Sequence, residues 1–266
     1  MQKRIDLSDT SFVIPVRIDS ADRIDNLTVI VSYLNTYFDT TIIILESDKE
    51  PRVKELTPGS YEYIFIESTA PLFDRTSNNN RLLNACNTPI AVLYDADVII
   101  PPDQLLKAIE GIRKKSWHFS LPYDGRFIQV DKYCRQLFKK TLRLDFLQEA
   151  EWLFETSTWN SVGGCFVCQL AEYKKNGMEN ESIEGWGHDD AERVKRLRKL
   201  GYYINRSSGP LYHLCHSRSN NSYFFDQARA AASFGTYFNI CSSSRQAVQQ
   251  EIKQWEQKRS LYDRHQ

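Results

Sequence analysis

The sequence predicts an α/β protein: a mostly parallel sheet flanked by helices, with a helical extension at the C-terminus. Three observations predict it. Apolar runs of strand length alternate with amphipathic, helix-length stretches over about the first 125 residues. One run, Ile90–Val98, carries two aspartates separated by one residue near its end, and Pro101 and Pro102 stop it. The last stretch, Ser244–Tyr262, is polar with Val248, Ile252 and Trp255 at helical spacing.

Taken in order, Ser11–Ile18 is strand-like. Ser20 can cap a helix reaching about Tyr37, with Ile24, Leu27, Ile30, Val31 and Leu34 on one face. Thr41–Glu46 and Tyr61–Glu67 read as the second and third strands, and Ser77 opens a short helix through Ala85. Ile90–Asp97 is the next strand, followed by a helix from about Asp103 to Lys115 and a strand over Trp117–Pro122. This β-α-β order demands parallel pairing and puts ligands at the carboxyl ends of the strands. Beyond about residue 125 the rhythm weakens. Lys132–Glu155 is helical, Gly163–Gln169 a strand, and Asp189–Leu200 a charged helix stopped by Gly201. Tyr202–Asn205 and Pro210–Cys215 are extended; Ser222–Phe234 and Ser244–Tyr262 are helical. No repeat or linker divides the chain, so one compact domain with a C-terminal extension is expected.

Composition narrows the function. Lys and Arg number 34 against 34 Asp and Glu, so bulk charge does not mark a nucleic-acid binder. The apolar runs are too short for a membrane span, and Pro15 breaks the only N-terminal one, so no signal peptide is expected. Six scattered cysteines in a chain this long read as reduced thiols of a cytoplasmic protein. Cys165-x-x-Cys168 lacks a second pair and sits in a strand pattern, which favours packing over metal binding.

Four segments carry chemistry. Asp95 and Asp97 stand at a strand tip, where residues i and i+2 face the same way and can converge on one cation or a ribose. Pro15-Val16-Arg17-Ile18-Asp19 ends the first strand; its Arg can meet a phosphate or base edge, or face solvent. Asn78-Asn79-Asn80-Arg81-Leu82-Leu83-Asn84 reads as the opening of a helix, suited to an anion or to a capped loop. Gly185-Trp186-Gly187-His188-Asp189-Asp190 bends around an aromatic plate able to stack on a sugar. It begins a helix with two acids, either of which is a candidate general base or an ordinary N-terminal charge. Beyond these, His213 and His216 stand three apart beside Arg218; both reach one ion only if the segment bends.

Together these motifs resemble the GT-A-fold glycosyltransferases, with a catalytic half similar to the metazoan β-1,4-galactosyltransferases and to bacterial family-2 enzymes. Ile14-Pro15-Val16-Arg17 resembles the uridine-binding first strand, Arg81-Leu82-Leu83-Asn84 the (Lys/Arg)-Leu-Leu-Asn helix, and Asp95-Ala96-Asp97 the D-x-D motif. Gly163-Gly164, Lys175-Asn176-Gly177-Met178 and Gly185-Trp186-Gly187-His188-Asp189-Asp190 resemble the GG…NGF…GWGGEDD block. His213-x-x-His216-Ser217-Arg218 resembles the Met-x-x-His-Ser-Arg metal segment. The likeness spans roughly residues 11–220. It implies a GT-A domain over residues 1–240, a Rossmann-like sheet flanked by helices, with the nucleotide half at about 1–125, the acceptor and metal half at about 126–240, and a helical extension over 241–266.

The resemblance further implies an inverting hexosyltransferase using a UDP-sugar, galactose or N-acetylgalactosamine favoured. Pro15, Val16, Arg17, Asp19, Glu46, Arg81, Asn84, Asp95 and Ala96 would bind the donor. Asp97, His213 and His216 would hold Mn²⁺ or Mg²⁺. Trp186, Gly187 and Asp190 would face the acceptor, a saccharide or lipid-linked saccharide, and Asp189 would be the base. Two departures stand out. A single Gly follows Trp186 and His188 replaces the family's Glu, which leaves Asp189 and Asp190 both open as base; His213 replaces a Met ligand. The expected setting is bacterial surface-glycan synthesis in the cytoplasm, with at most peripheral contact at the inner face of the membrane and no nucleic-acid partner. Two other readings compete: a haloacid-dehalogenase-type phosphatase using Asp95 and Asp97, and a nucleotide-sugar-binding subunit without turnover.

Overall fold

A computed structural model describes residues 3–217 and 223–262. Arg218, the Ser222 start of a predicted helix and the last four residues lie outside them. The first half runs β1 (Ile5–Val16), α1 (Ala21–Tyr37), β2 (Phe38–Asp48), α2 (Val53–Leu56), β3 (Glu62–Glu67), α3 (Arg75–Ala85), β4 (Ile90–Tyr94), β5 (Val98–Ile99), α4 (Pro102–Arg113) and β6 (Phe119–Leu121). The second runs β7 (Phe127–Val130), α5 (Lys132–Thr141), α6 (Leu144–Glu149), β8 (Glu155–Thr158), β9 (Cys165–Gln169), α7 (Leu170–Lys175), α8 (Asp189–Lys199), β10 (Ile204–Arg206), β11 (Leu211–Leu214), α9 (Gln227–Ser242) and α10 (Arg245–Tyr262).

A seven-stranded sheet, ordered β10-β6-β9-β4-β1-β2-β3, forms the body. It is parallel except at β9, which runs antiparallel to both β4 and β6. The strands are near-continuous apolar runs because both faces are covered: Phe12, Val13, Ile14, Ile42–Leu45 and Ile90–Tyr94 are all buried. Strand order reverses between β1 and β4. The crevice outside their carboxyl ends is where such a sheet takes ligands. A second sheet, β5-β11-β7-β8, stands beside this crevice. Its β11 pairs parallel with β7 and antiparallel with β5, the two-residue strand that directly follows the Asp95–Asp97 turn.

Four expectations change. Strand β4 ends at Tyr94, so Asp95 and Asp97 sit in a turn and strand alternation no longer aligns them. Asp74, not Ser77, caps α3, so the asparagines are mid-helix and buried; Asn80 donates to the Glu179 carbonyl and accepts from its N–H. The predicted Lys132–Glu155 helix breaks at Leu142, whose φ of 49° ends α5 in the left-handed conformation. Strands β5, β7 and β8 were not visible as periodicity, being two to four residues long. Helix α10 packs through Val248 and Ile252 on Leu200 and Ile240. Among the described residues no helix is long and apolar enough to cross a membrane.

Candidate active site

A cavity of about 480 Å³ opens at the β1 and β4 tips. Its walls come from the end of β1 and the residue after it (Pro15, Val16, Arg17), the turn after β4 (Asp95, Ala96, Asp97), β7 and β11 (Gln129, His213), and the segment leading into the first turn of α8 (Trp186, Gly187, His188, Asp190). That size suits a drug-sized ligand or a sugar nucleotide.

Asp97 is 6% exposed and accepts from Arg23 Nη1 at 2.8 Å. Its carboxylate also lies 3.2 Å from His216 Nε2 and 3.7 Å from His213 Nε2. Burial by itself would raise the Asp97 carboxyl; His213, His216 and Arg23 overcome that and hold it well below the carboxylate range. Strand β11 ends at Leu214, so the chain bends between the two imidazoles and brings their centroids to 5.3 Å. Each ring is oriented from behind. His213 Nδ1 lies 2.7 Å from Gln129 Oε1 and His216 Nδ1 lies 2.9 Å from the Ser217 carbonyl. These oxygens accept from Nδ1, which leaves each Nε2 facing Asp97, placed to offer its lone pair to an ion bound between them. Among the described residues, Asp97, His213 and His216 form the one group of three or more such ligands, their donor atoms all within 4.8 Å of one another. A carboxylate and two imidazoles with open positions suit Mn²⁺ or Mg²⁺ carrying ligand oxygens, so the residues present fit the ion.

Asp95 turns the other way. Arg75 Nη1 donates to it at 3.2 Å. The same guanidinium donates from Nη2 to Asp190 Oδ2 at 2.6 Å and to Asp189 Oδ2 at 2.5 Å. The two aspartates of one motif therefore belong to different clusters. The loss of water around Asp95, with Asp97 and Asp190 near, pushes it up to about 6 against the pull of Arg75.

Asp189 and Asp190 also separate. Asp189 is 2% exposed, does not line the cavity, and its Oδ1 makes no hydrogen bond among the described residues. Burial, then Asp190 and Glu179, push it up to about 7 in spite of Arg75. Asp190 lines the cavity and pairs with Arg193 as well as Arg75; together these overcome its burial and lower it. It is the ionised acid that faces the space, and Gly163 makes room for it. A Cβ on Gly163 would sit 2.6 Å from Asp190 Oδ2. Trp186 is half-exposed at the cavity wall, edge-on to Phe224 at 4.7 Å. Gly187 lets Ser233 of α9 approach, and Ser233 Oγ accepts from the His188 N–H at 2.9 Å.

Of the donor residues read from sequence, Pro15, Val16, Arg17, Asp19, Asp95 and Ala96 line the cavity. Asp19 sits 3.6 Å from Arg23. Arg17 is largely committed, donating to the Ser47 and Ala70 carbonyls at 2.9 Å and lying over Phe73, so it builds the wall more than it reaches into the space. The other three donor residues, Glu46, Arg81 and Asn84, do not line the cavity. Glu46 is fully buried and accepts from Arg52 N, Val53 N and Tyr63 Oη, bracing α2. Arg81 and Asn84 are exposed on the far turns of α3 and do not line the cavity. Cys165 and Cys168 are buried strand residues, and burial pushes both thiols up. Sequence reasoning missed Arg23, Arg75 and Gln129. Arg75 left a signal, since a cation in the first turn of a helix opposes the dipole.

Solved structures decide the fold. Glucosyl-3-phosphoglycerate synthase from Mycobacterium tuberculosis, in complex with Mn²⁺, UDP-glucose and glycerol 3-phosphate, gives a TM-score of 0.55 at 13% identity, over 87% of this chain and 79% of that one. Its complex with Mn²⁺, UDP and phosphoglyceric acid gives 0.54 at 15% identity, over 88% and 78%. This chain has the GT-A fold. Residues 146–218 of this GT-A chain also match a family described as the N-terminal domain of galactosyltransferase. The catalytic domain of Drosophila β1,4-galactosyltransferase 7 gives 0.47 at 15% identity over 74% of this chain, which spans 63% of that one. No curated protein matches the sequence.

Proposed function

We propose that the protein is a metal-dependent inverting glycosyltransferase. It moves a hexose, galactose or N-acetylgalactosamine favoured, from a UDP-sugar to a hydroxyl of a saccharide or lipid-linked saccharide. One observation carries the reading: the Asp97–His213–His216 cluster and the Asp190 carboxylate line the same cavity at the β1 and β4 tips. Supporting it, the mycobacterial synthase of similar fold is crystallised with UDP and with Mn²⁺ or Mg²⁺.

In this mechanism Pro15, Val16 and the Arg17–Phe73 stack form the nucleotide wall. Asp97, His213 and His216 would hold the divalent ion, which neutralises charge on the diphosphate as the nucleotide leaves. Arg23 adds a cation beside that group. Asp190 accepts the proton of the attacking hydroxyl, a role that suits it over Asp189 because only Asp190 faces the cavity. Trp186 offers a flat apolar face to the acceptor ring. Fixing both substrates in one cleft supplies much of the rate. A role in surface-glycan synthesis from the cytoplasm belongs to the same proposal. The phosphatase alternative needs Asp95 and Asp97 to act on one phosphorus, whereas each is engaged by a different cluster.

A thermal-shift screen of nucleotide sugars, with and without Mn²⁺, tests the reading. UDP and its sugars should raise Tm, and more so with the metal. Slow UDP release from UDP-galactose should accompany it. Phosphate release from a generic monoester would instead favour the phosphatase. Binding of UDP-sugar with no turnover on any acceptor would favour the binding subunit.

A further inference from the structure

The segment that carries His216 is tied down at almost every backbone position beside it. Leu214 N donates to the Asp97 carbonyl at 2.8 Å and Cys215 N to the Val130 carbonyl at 3.2 Å. Asn26 Nδ2 of α1 donates to the Leu214 carbonyl at 3.1 Å. Arg135 Nη1 of α5 donates to the Cys215 carbonyl at 2.7 Å. On the other side of His216, the Ser217 N–H and Oγ both donate to Asp22 Oδ2, at 2.9 and 2.6 Å. Arg135 Nη2 closes the set by donating to Asp22 Oδ1 at 2.8 Å. Arg135 is 4% exposed, so its charge needs this carboxylate. Asp22 therefore uses one oxygen to hold the chain after His216 and the other to hold the guanidinium that grips the chain before it.

Resting on the metal reading above, we infer that Asp22 and Arg135 are a positioning pair that fixes His216 for divalent-cation binding and thereby sets the affinity of the site. Neither touches the three donor atoms. They act by removing the freedom of a segment that would otherwise have to be ordered when the ion binds. His213 does not depend on them, since it is held by its strand and by Gln129. The pair thus supports one ligand of the three, and this selectivity makes it testable apart from general stability.

The test is Mn²⁺ affinity, read from the paramagnetic resonance signal of the free ion, with no substrate present. Asp22→Asn keeps the shape but cannot accept from both partners at once; outer-shell changes of this kind weaken metal binding by about 10–100-fold. Ser217→Ala removes one exposed hydrogen bond, leaves the fold intact, and should weaken binding in the same direction by less. In a His216→Ala background Asp22→Asn should cause no further loss, because there is no ring left to position. In a His213→Ala background its effect should persist in full. Wild-type affinity in Asp22→Asn, or an undiminished loss in the His216→Ala background, would overturn the inference alone. Absence of Mn²⁺ binding by the unaltered protein would overturn the metal reading and the inference with it.

Discussion

At the residue scale the adjacent acids Asp189 and Asp190 differ in surroundings more than in sequence. Asp190→Asn should lower transfer by about 10²–10⁴-fold, the range for a lost general base, while leaving UDP binding in place. Near-normal turnover in that variant would remove Asp190 from the mechanism. Gly163→Ala probes the same group indirectly. Its methyl would crowd the far end of the Asp190 side chain and no backbone, so turnover should fall while Tm barely moves. Asp189 makes a different prediction. Its folded pKa, about 7, lies above its ordinary 3.8. Between those values the folded state keeps a proton that the unfolded state has released, so stability falls as pH rises through the window. Asp189→Asn removes its share of that slope and leaves the share of Asp95, whose carboxyl is also raised. Calorimetry at pH 5 and pH 8 should show the wild type losing more Tm than the variant; parallel curves would mean that Asp189 ionises normally. These roles were only partly legible. The GWGHDD stretch marked two acids, but which one faces solvent depends on Arg75, 114 positions earlier, and that contact has no local trace in the sequence.

At the element scale the parallel half was readable because each buried strand is an apolar run and each helix an amphipathic one. Ser20 capping α1 and Gly201 stopping α8 were readable for the same local reasons. The second sheet was not. Strand β8, Glu155–Thr158, is mostly exposed and has no apolar pattern, and β5 has only two residues. Both are defined by their pairing with β7 and β11, which is tertiary information. The consequence for α10 is concrete. This helix lies on α8, with Trp255 facing the Arg196 guanidinium at 5.3 Å and Arg259 Nη2 donating to the Gly177 carbonyl. Arg196 is fully buried and lies one helical turn past Glu192, its ion-pair partner. Ile252→Ala, at a site 5% exposed, should cost about 2–4 kcal/mol in denaturant unfolding without changing Mn²⁺ affinity. A change in metal affinity would mean that α10 acts on the site and does more than cover α8.

At the scale of the whole molecule the site is a seam. Asp97 follows a strand of the seven-stranded sheet, His213 lies on a strand of the four-stranded one, and Asp190 lies in the first turn of a helix packed against β10 of the larger sheet. The donor atoms come from two excursions of the chain, Asp97 from the turn after β4 and both imidazoles from the β11 segment, so the cluster is complete only once the two sheets have docked. An ion bound there is then linked to that docking, and its binding energy becomes stability of the assembled fold. At a free Mn²⁺ concentration of 100 times Kd the gain is about 2.7 kcal/mol. It should appear as a rise in Tm of the full chain that EDTA reverses. The rise should vanish in His213→Ala and in Asp97→Ala, although these change opposite sides of the seam. It should survive in Asp190→Asn, which lines the same cavity but lies outside the ligand group. A Tm rise that persisted in both ligand variants would place the ion elsewhere on the surface, and the two sheets would then be held by packing alone.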